Sequence, residues 1–335
     1  MTSVTGLIDV HTHHYPQAYL EACRRPDSGF THYIRDDGRI VVLQDGAVAL
    51  AAPQPLPGTD ARLSAMDSAG VRLQVLSISA PNVYALPRSL RVAVTRDCND
   101  ELEAMAAAGD GRLRVFASVP LPEVDEALAE ADRALNLPHT VGLMLCTTVA
   151  RRTLDDPVFA PFWEHLSRRG TVVFVHPTTA CCTEGLRDYA LSLALDFLAE
   201  TTNAIGRLVY SGTFDQFPGI RWIFSHLGGS TPFVMHRFDN YASQFPEARA
   251  HITRKPSDII RELMFDTVTT HRPALRCALD TFDDGQLMFG SDYPHVPGGL
   301  QVFVDTLDGI GMSAEQRTAI GWRNAEQLLG LSYRR

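Results

Sequence analysis

The sequence predicts an α/β protein, a (β/α)8 TIM barrel with a small insertion after the first strand. Eight short apolar runs resemble buried strands, and helix-like stretches alternate with them along the chain. The length of 335 residues suits one barrel, because this fold takes about 250 residues and more with insertions. A doubly wound open sheet is the alternative, but no glycine-rich phosphate-binding fingerprint follows any run. We therefore expect residues 1–335 to form a single domain.

The eight strand candidates are rich in branched and aromatic residues and are bounded by turn formers. Most are continuously apolar, which is typical of parallel strands that are covered on both faces. The candidates are residues 6–10, 71–79, 113–118, 140–146, 171–176, 220–226, 263–268 and 286–291. Their number is that of a closed (β/α)8 barrel.

Helix signals fill the intervals between these runs. Residues 88–109 have apolar residues at helical spacing and close on glycine, and residues 123–136 place acidic residues early, where the helix dipole favours them. Residues 155–170 begin with aspartate and proline and end with basic residues and glycine. The tail, 313–335, predicts one closing helix with Ser313 as its N-cap.

One stretch interrupts the alternation of strands and helices. Residues 24–60 contain two Asp-Gly pairs between apolar runs, which is the signal of a hairpin turn. We expect this stretch to be an inserted hairpin region near the mouth of the barrel.

The composition, with 45% hydrophobic and 21% charged residues, is that of an ordinary globular protein. A net charge of -9 argues against a nucleic-acid partner, because phosphate binding needs a basic surface. No apolar run approaches the roughly 20 residues that span a bilayer, and no signal-peptide pattern opens the chain. Six cysteines, with Cys181 and Cys182 too close to bridge easily, predict reduced thiols. These features predict a cytoplasmic protein without a membrane or nucleic-acid partner.

Polar residues suited to chemistry lie where four of the predicted strands end. These ends are DVHTH, FVHP, FSHLGG and FGSDYPH, after the first, fifth, sixth and eighth strands. In barrels of this kind, chemistry takes place at the C-terminal ends of the strands. His11 and His13 point the same way, because side chains on an extended strand alternate with period two, and His14 points the other way.

Together, the two first-strand histidines, His176 and Asp292 form a nitrogen-rich set completed by a carboxylate. Such a set suits zinc, manganese or iron, with positions left open for water or substrate. A lone histidine is more often a satisfied core or turn residue, but four ligand types on one barrel face argue against that interpretation. We therefore predict one divalent metal ion, Zn²⁺ with Mn²⁺ as the alternative, held by His11, His13, His176 and Asp292.

His226 is additional to this set, and a histidine beside a metal that needs no further ligand is suited to general acid–base catalysis. The alternative is that it only supports a neighbouring side chain. The other histidines lack this placement and are expected to be surface or packing residues: His32, His139, His165, His236, His251, His271 and His295. Of these, His295 lies nearest the predicted barrel mouth.

These motifs resemble those of a known superfamily. At DVHTH, FVHP, SHLGG and FGSDYP the chain looks like the amidohydrolases, and more narrowly like their aminocarboxymuconate-semialdehyde decarboxylase group, the amidohydrolase-related proteins. The stretches VLSISAPNVY, FASVPLPEVDEALAE, VFVHPTTACC and YSGTFDQFPGIRWIFSHLGG are similar to those of 6-methylsalicylate decarboxylases. The resemblance covers nearly the whole chain in order and spacing.

The resemblance implies that His11, His13, His176 and Asp292 hold the metal and that His226 is the catalytic histidine. It also implies the non-oxidative loss of carbon dioxide from a small hydroxylated aromatic or enol-like carboxylic acid, and a homodimer. In such a reaction His226 would protonate the substrate carbon. Asp292 would serve catalysis as a ligand and as a charge that favours a neighbouring imidazolium.

The chain departs from this group in two places. The substrate-anchoring arginine of semialdehyde decarboxylases has no clear match, since the corresponding stretch is APQPLPG. Nearby Arg35 and Arg39 are interpreted as solvent-exposed charges. Decarboxylases of resorcylate-like acids begin their first motif with glutamate, where this chain has His11. The substrate is therefore less narrowly indicated than the metal.

Hydrolysis is the main alternative function, because a bound metal also activates water. Binuclear amidohydrolases usually bridge their metals through a carboxylated lysine, and Lys255, the only lysine, lies far from any predicted strand end. The alternative is thus a mononuclear hydrolase of a lactone, or of a carbon–carbon bond in a ring-cleavage product. A further alternative is a metal-bound scaffold without catalytic activity. Its sequence would be expected to lack one of the four predicted ligands or His226, and all five residues are present.

Overall fold

The structure, a computed structural model, describes residues 6–179 and 184–331. Eight parallel strands form one sheet in which each strand pairs with the next along the chain. Every strand falls on one of the predicted runs. In chain order they are β1 Leu7–His13, β2 Val71–Ser77, β3 Leu113–Ala117, β4 Thr140–Cys146, β5 Val172–His176, β6 Arg221–Phe224, β7 Met264–Asp266 and β8 Leu287–Met288.

The two ends of the sheet meet between β8 and β1. The backbone N–H of Val10 donates to the carbonyl of Phe289 at 3.0 Å. Further along, the N–H of Asp292 donates to the carbonyl of His11 at 2.8 Å. These are separate hydrogen bonds and not a regular ladder, because β8 already ends at Met288. The nearly closed ring of eight parallel strands confirms the predicted TIM barrel.

Helices occupy the connections between the strands. The α-helices are Gln17–Arg24, Thr59–Ala69, Arg88–Ala107, Val124–Ala134, Ala160–Arg169, Phe197–Tyr210, Thr213–Gln216, Thr231–Gln244, Pro256–Ile260, Arg272–Thr281, Gly299–Asp308, Ala314–Thr318 and Asn324–Leu329. Shorter 3₁₀ turns are Val83–Ala85, Pro157–Phe159, His226–Gly228, Pro246–Arg249 and Asp284–Gln286, and π-helical turns are Ser192–Asp196 and Ala319–Arg323. The Ser313 hydroxyl accepts from the backbone of Gln316, as predicted for the N-cap of the closing helix.

The insertion after β1 forms a three-stranded antiparallel sheet, which is larger than the hairpin that the sequence predicts. Its strands are Thr31–Ile34, Ile40–Gln44 and Ala47–Ala52. Asp45 and Gly46 join the last two strands with positive φ angles of 51° and 83°, as tight hairpin turns require. The Ser192 hydroxyl donates to the carbonyl of Val48 at 2.7 Å, which ties the third strand to the rest of the molecule.

Aromatic side chains fill the barrel below the histidine-bearing strand ends. The ring of Phe174 stacks on that of Phe116, with 5.4 Å between their centroids. It also meets the ring of His11 edge to face at 4.9 Å. All three side chains are almost fully buried, and burying one phenylalanine contributes about 1.5–3 kcal/mol. This layer forms the floor of the site described below.

Among the residues that the structure describes, no helix has the length and apolar character needed to cross a membrane. Free thiols are present at Cys23, Cys98, Cys146 and Cys277. Cys181 and Cys182, whose thiols the sequence predicts to be reduced, lie outside the described residues.

Candidate metal centre and active site

β1 is longer than predicted and carries both histidines of the first motif. His11 and His13 lie two residues apart inside the strand, so their side chains share one face, as expected. Their Nε2 atoms are 2.9 Å apart, and neither side chain is exposed. The half-buried His14 belongs to neither of the ligand groups described below. Two imidazoles are thus aimed at one point.

Asp292 reaches the same point from the other side of the barrel closure. It follows β8 and has a left-handed backbone with φ of 56°. Its Oδ1 atom lies 3.1 Å from Nε2 of His13 and 3.4 Å from Nε2 of His11. This oxygen is buried and has no hydrogen-bond partner among the described residues. Since an unpaired buried carboxylate oxygen is costly, its position fits a cation between the three side chains.

His176, the last residue of β5, completes the predicted ligand set. Its ring centroid is 4.9 Å from that of His13 and 5.1 Å from that of His11. Its Nδ1 atom donates to the carbonyl of Pro177 at 2.7 Å. This hydrogen bond leaves the lone pair of Nε2 available to a cation. The structure therefore places the four residues predicted as ligands together at the strand ends.

Hydrogen bonds to the Nδ1 atoms orient the two imidazoles of β1. Nδ1 of His11 lies 2.5 Å from Oδ2 of Asp266, and Nδ1 of His13 lies 3.0 Å from the hydroxyl of Ser77. Because the Ser77 hydroxyl donates its proton to the carbonyl of Thr12 at 3.2 Å, it accepts from His13. Nε2 of each ring is then the nitrogen left for a cation.

Asp266 is a site residue that the sequence analysis missed. It is the last residue of β7 and is fully buried, and its second oxygen accepts the backbone N–H of Val268 at 3.0 Å. Asp266 could have been identified by the signal that identified His176, which is a polar residue at the C-terminal end of a strand. The strand predicted at 263–268 extends past Asp266, so the carboxylate lies inside that run and not at its end.

The donor atoms at this centre fit a metal ion. Within each of two overlapping groups, every ligand atom lies within 4.8 Å of the others. One group is His11, His176, His226 and Asp292, and the other is His13, Asp292 and His295. Imidazole nitrogens combined with one carboxylate suit borderline divalent ions such as zinc and manganese.

Burial and the neighbouring charged groups shift the pKa values of the side chains at this centre. Burial lowers the pKa of His11, but the carboxylates of Asp266 and Asp292 outweigh burial and raise that pKa to about 10. Burial lowers the pKa of His13 to about 3 and holds the pKa of His176 well below its usual value. Burial raises the pKa of Asp292, but the neighbouring imidazoles of His11 and His13 outweigh burial and hold the pKa well below its usual range. At neutral pH a proton on His11 therefore competes with a cation.

His226 lies at the edge of this centre and faces a cavity. It follows β6 in a left-handed turn, where His226 and Leu227 have φ angles of 53° and 59°. Its Nε2 atom is 3.8 Å from Oδ2 of Asp292, and its side chain is 12% exposed. Its Nδ1 atom has no hydrogen-bond partner in the described part of the chain. Because His226 lines the cavity, its ring is placed to exchange a proton with a molecule bound there.

His295 is closer to the site than the sequence suggests. Contrary to the expectation of a surface or packing residue, its ring lies 5.4 Å from that of His13 and lines the cavity. Its Nε2 atom is 2.9 Å from the hydroxyl of the buried Tyr15, and burial lowers the pKa of its imidazole. The sequence signal that could have placed His295 at the site is its position three residues after Asp292.

A cavity of about 640 Å³ opens onto two of the predicted ligands, His176 and Asp292. Most of its wall is apolar, with side chains that include Leu50, Leu193, Phe197, Val268, Val296 and Phe303. Its polar lining includes Ser79, Thr269 and Thr270, in addition to His176, His226 and Asp292. Its size and mixed lining are those of a site for a small molecule.

The inserted sheet contributes two arginines to the wall of this cavity. Contrary to the expectation of an exposed charge, the side chain of Arg39 is only 24% exposed, and it donates to the carbonyl of Ala51 at 3.3 Å. The side chain of Arg35 is 51% exposed and is paired with Asp37, so the expected exposure is confirmed for Arg35 alone.

A larger open groove of about 1030 Å³ lies elsewhere, between helices Ala160–Arg169 and Phe197–Tyr210. Its cation, Arg207, is paired with Asp155 at 2.7 Å. None of the metal-ligand groups found in the described ranges lies in this groove. The smaller cavity at the strand ends is therefore the candidate active site.

The amidohydrolase family model matches residues 8–331 of the chain. The chain is 29% identical over 319 residues to the 6-methylsalicylic acid decarboxylase of Penicillium expansum, and the match covers 93% of each chain. It is 32% identical over 302 residues to the 6-methylsalicylic acid decarboxylase acuB of Aspergillus aculeatus, covering 87% of this chain and 84% of the relative.

A solved structure shares the same fold. It is the dihydroxybenzoic acid decarboxylase of Polaromonas sp. JS666 with bound manganese and the inhibitor 2-nitroresorcinol. The TM-score is 0.80 at 23% identity, and the match covers 99% of this chain and 98% of that one. The family match over nearly the full length confirms the resemblance in the motifs, and the chain belongs to the amidohydrolase family.

Proposed function

We propose that the protein is a metal-dependent carboxy-lyase. It would remove carbon dioxide without oxidation from a small hydroxylated aromatic or enol-like carboxylic acid such as 6-methylsalicylate. The observation that carries this proposal is that His226 lines one cavity together with His176 and Asp292, and that Asp292 lies close to both His13 and His226. The names of the two relatives, both 6-methylsalicylic acid decarboxylases, support the same chemistry.

His11, His13, His176 and Asp292 would hold one divalent ion. Three imidazole nitrogens and one carboxylate suit Zn²⁺ and Mn²⁺. The nitrogen-rich set supports Zn²⁺, and the manganese of the Polaromonas enzyme supports Mn²⁺. When bound, the ion would act as a Lewis acid that stabilises negative charge on the oxygens of the substrate.

His226 would supply the proton that replaces the carboxylate. As the bond between the ring carbon and the carboxylate breaks, its electron pair stays on the ring carbon and carbon dioxide leaves. The Nε2 proton of His226 then passes to that carbon. Oδ2 of Asp292 lies 3.8 Å from this nitrogen. General acid catalysis of this kind contributes typically about 10²–10⁴ in rate.

The cavity wall would hold the substrate for this step. Apolar side chains such as Phe197 and Val268 would pack on the aromatic ring and keep water away from the carbon that receives the proton. The guanidinium of Arg39 would attract the anionic acid at the cavity wall. Both effects favour a small aromatic monoanion over a neutral ester or amide.

The decisive experiment is to measure carbon dioxide release from a panel of ortho-hydroxybenzoates, including 6-methylsalicylate. Metal-loaded wild-type protein should release carbon dioxide from at least one acid. His226→Ala should lower the rate by at least about a hundredfold. If protein shown to contain its metal releases none from any acid, the proposal fails, and lactones and ring-cleavage products become the next substrates to test.

We also propose that residues 1–335 form one domain, that the protein is a homodimer, and that it works in the cytoplasm. The family resemblance supports the dimer, and the free thiols support a reducing compartment.

Light scattering should give twice the 36.9 kDa of one chain. Calorimetry should show one unfolding transition, and microscopy of the fluorescently tagged protein in its own cells should show cytoplasmic signal.

A further inference from the structure

Behind the ligand-type residues lies a chain of hydrogen-bonded side chains that the proposed chemistry does not use. It runs from Asp9 of β1 through Gln74 of β2 to Arg62 of helix Thr59–Ala69, and all three side chains are fully buried. We propose that these three residues form a clamp that positions the metal ligands on both sides of the barrel closure. This inference rests on the ligand assignment of the proposed function.

Asp9 spans the junction between β1 and the segment after β8. Its Oδ2 atom accepts the hydroxyl of Ser291 at 2.6 Å, and its Oδ1 atom accepts the backbone N–H of Ser291 at 3.1 Å. Oδ1 also accepts the backbone N–H of His11 at 3.3 Å. One carboxylate therefore links the backbone of a β1 ligand to the residue that precedes Asp292.

Arg62 holds the same junction from the other end of the clamp. Its Nη2 atom donates to the carbonyl of His13 at 2.6 Å, and its guanidinium lies 4.9 Å from the ring centroid of Tyr293. Its Nη1 atom donates to Oε1 of Gln74 at 2.9 Å. The amide of Gln74 then donates to Oδ2 of Asp9 at 3.0 Å, so both ends of this amide are used.

The clamp lies at the closure of the barrel, where β1 and the segment after β8 do not form a continuous ladder. β1 and β8 meet through separate hydrogen bonds, and the pairing of β1 with β2 is irregular between Asp9 and Thr12. His13 and Asp292 come from opposite sides of this closure, and their contact of 3.1 Å depends on how the two sides are held. Backbone hydrogen bonds also cross this closure, from the N–H of Asp292 to the carbonyl of His11 and from the N–H of His13 to the carbonyl of Tyr293, both at 2.8 Å. The clamp adds side-chain hydrogen bonds at the same place, which would help to hold the two ligands at this distance.

Stability of the fold alone does not account for such an arrangement. Burying a carboxylate and a guanidinium is costly, and apolar replacements of buried charged groups are often at least as stable. Groups that orient metal ligands, in contrast, typically account for about 10- to 100-fold in metal affinity or activity. We therefore expect the loss of the clamp to affect metal binding more than folding.

The test uses Mn²⁺ alone as the probe of the full-length protein, with affinity measured by calorimetry and coordination by electron paramagnetic resonance. Asp9→Asn replaces one carboxylate oxygen of the clamp with an amide group that cannot accept a hydrogen bond. Ser291→Ala removes the hydroxyl that donates to Asp9 and accepts from the backbone N–H of Tyr293, with little change in volume. Glu130→Gln is the matched control, because Glu130 is also a buried carboxylate, bonded to Asn99 and Arg133, and it belongs neither to the clamp nor to the ligand groups.

Asp9→Asn should weaken Mn²⁺ binding by at least about tenfold and alter the spectrum of the bound ion, while Glu130→Gln keeps both at wild-type values. Ser291→Ala should change both in the same direction, which keeps the test informative if Asp9→Asn does not fold. Wild-type affinity and spectrum in the folded clamp variants would overturn the inference, as would an equal loss in Glu130→Gln. Failure of the ligand assignment is a separate result, in which wild-type protein binds Mn²⁺ no better than His11→Ala.

Discussion

The Nδ1 atom of His11 lies 2.5 Å from Oδ2 of Asp266, and neither side chain is exposed to solvent. This carboxylate holds the imidazole with Nε2 towards His13 and Asp292. It also makes the ring more basic, which strengthens a histidine as a metal ligand. One hydrogen bond thus sets both the direction and the proton affinity of a proposed ligand.

We predict that Asp266→Asn weakens Mn²⁺ binding by about 10- to 100-fold, because a neutral amide orients and polarises His11 less well than a carboxylate. Calorimetric titration would measure the affinity. The matched control is Glu103→Gln, which makes the same change in a histidine–carboxylate pair outside the site, where Glu103 lies 2.7 Å from Nδ1 of His139. Unchanged affinity in Asp266→Asn would contradict the orienting role.

His226→Asn should lower kcat for decarboxylation by about 10²–10⁴, because asparagine cannot deliver a proton to carbon. The variant should still bind one metal ion per chain, since the proposed ligand set does not include His226. Rates of carbon dioxide release and metal analysis of the same preparation would test both statements. His226 belongs to one of the groups whose ligand atoms lie within 4.8 Å of one another. If His226→Asn lost the metal, His226 would be a metal ligand and not only a proton donor.

Metal binding should depend on pH through His11. Burial lowers the pKa of this imidazole, but Asp266 and Asp292 raise it to about 10, so the ring is protonated at neutral pH. Burial lowers the pKa of His13 to about 3, so that ring is already neutral. Metal binding should therefore release about one proton from His11. The affinity for Mn²⁺ should rise about tenfold per pH unit between roughly pH 6 and 8. Titrations in buffers of different ionisation enthalpy would count the proton, and a pH-independent affinity would contradict the assignment.

Arg39→Met should raise KM for an anionic acid by about tenfold or more, because a hydrogen bond to a charged group contributes roughly 1.5–3 kcal/mol. The effect on kcat should be smaller, since Arg39 is proposed to attract the acid and not to take part in the proton transfer. Steady-state kinetics with the best acid of the panel would measure both constants. Arg35→Met is the control, because the side chain of Arg35 is 51% exposed against 24% for Arg39, while Asp37 lies beside both. Equal effects in the two variants would indicate only a general loss of positive charge.

The barrel and most of the ligand-type residues could be predicted because their signals are local. An apolar run that ends in histidine indicates a buried strand with a polar C-terminal end, as at His176. The position of His226 after β6 followed from the same pattern. The inserted sheet was harder to predict, because turn residues indicate a hairpin and do not show how many strands pair or which side chains face the cavity. Arg39 was misjudged for that reason.

By itself the sequence determined the barrel, its strand order and the residue types at the strand ends, because periodicity and turn residues are properties of neighbouring positions. Only the tertiary structure decided that Asp266 supports His11, 255 positions away, and that Asp9 bonds Ser291 across 282 positions. Such contacts depend on how the two ends of the sheet close, and a buried aspartate looks the same in sequence wherever its partner lies. The physical reason is that a hydrogen bond requires about 3 Å between atoms, a distance that only the closed barrel sets.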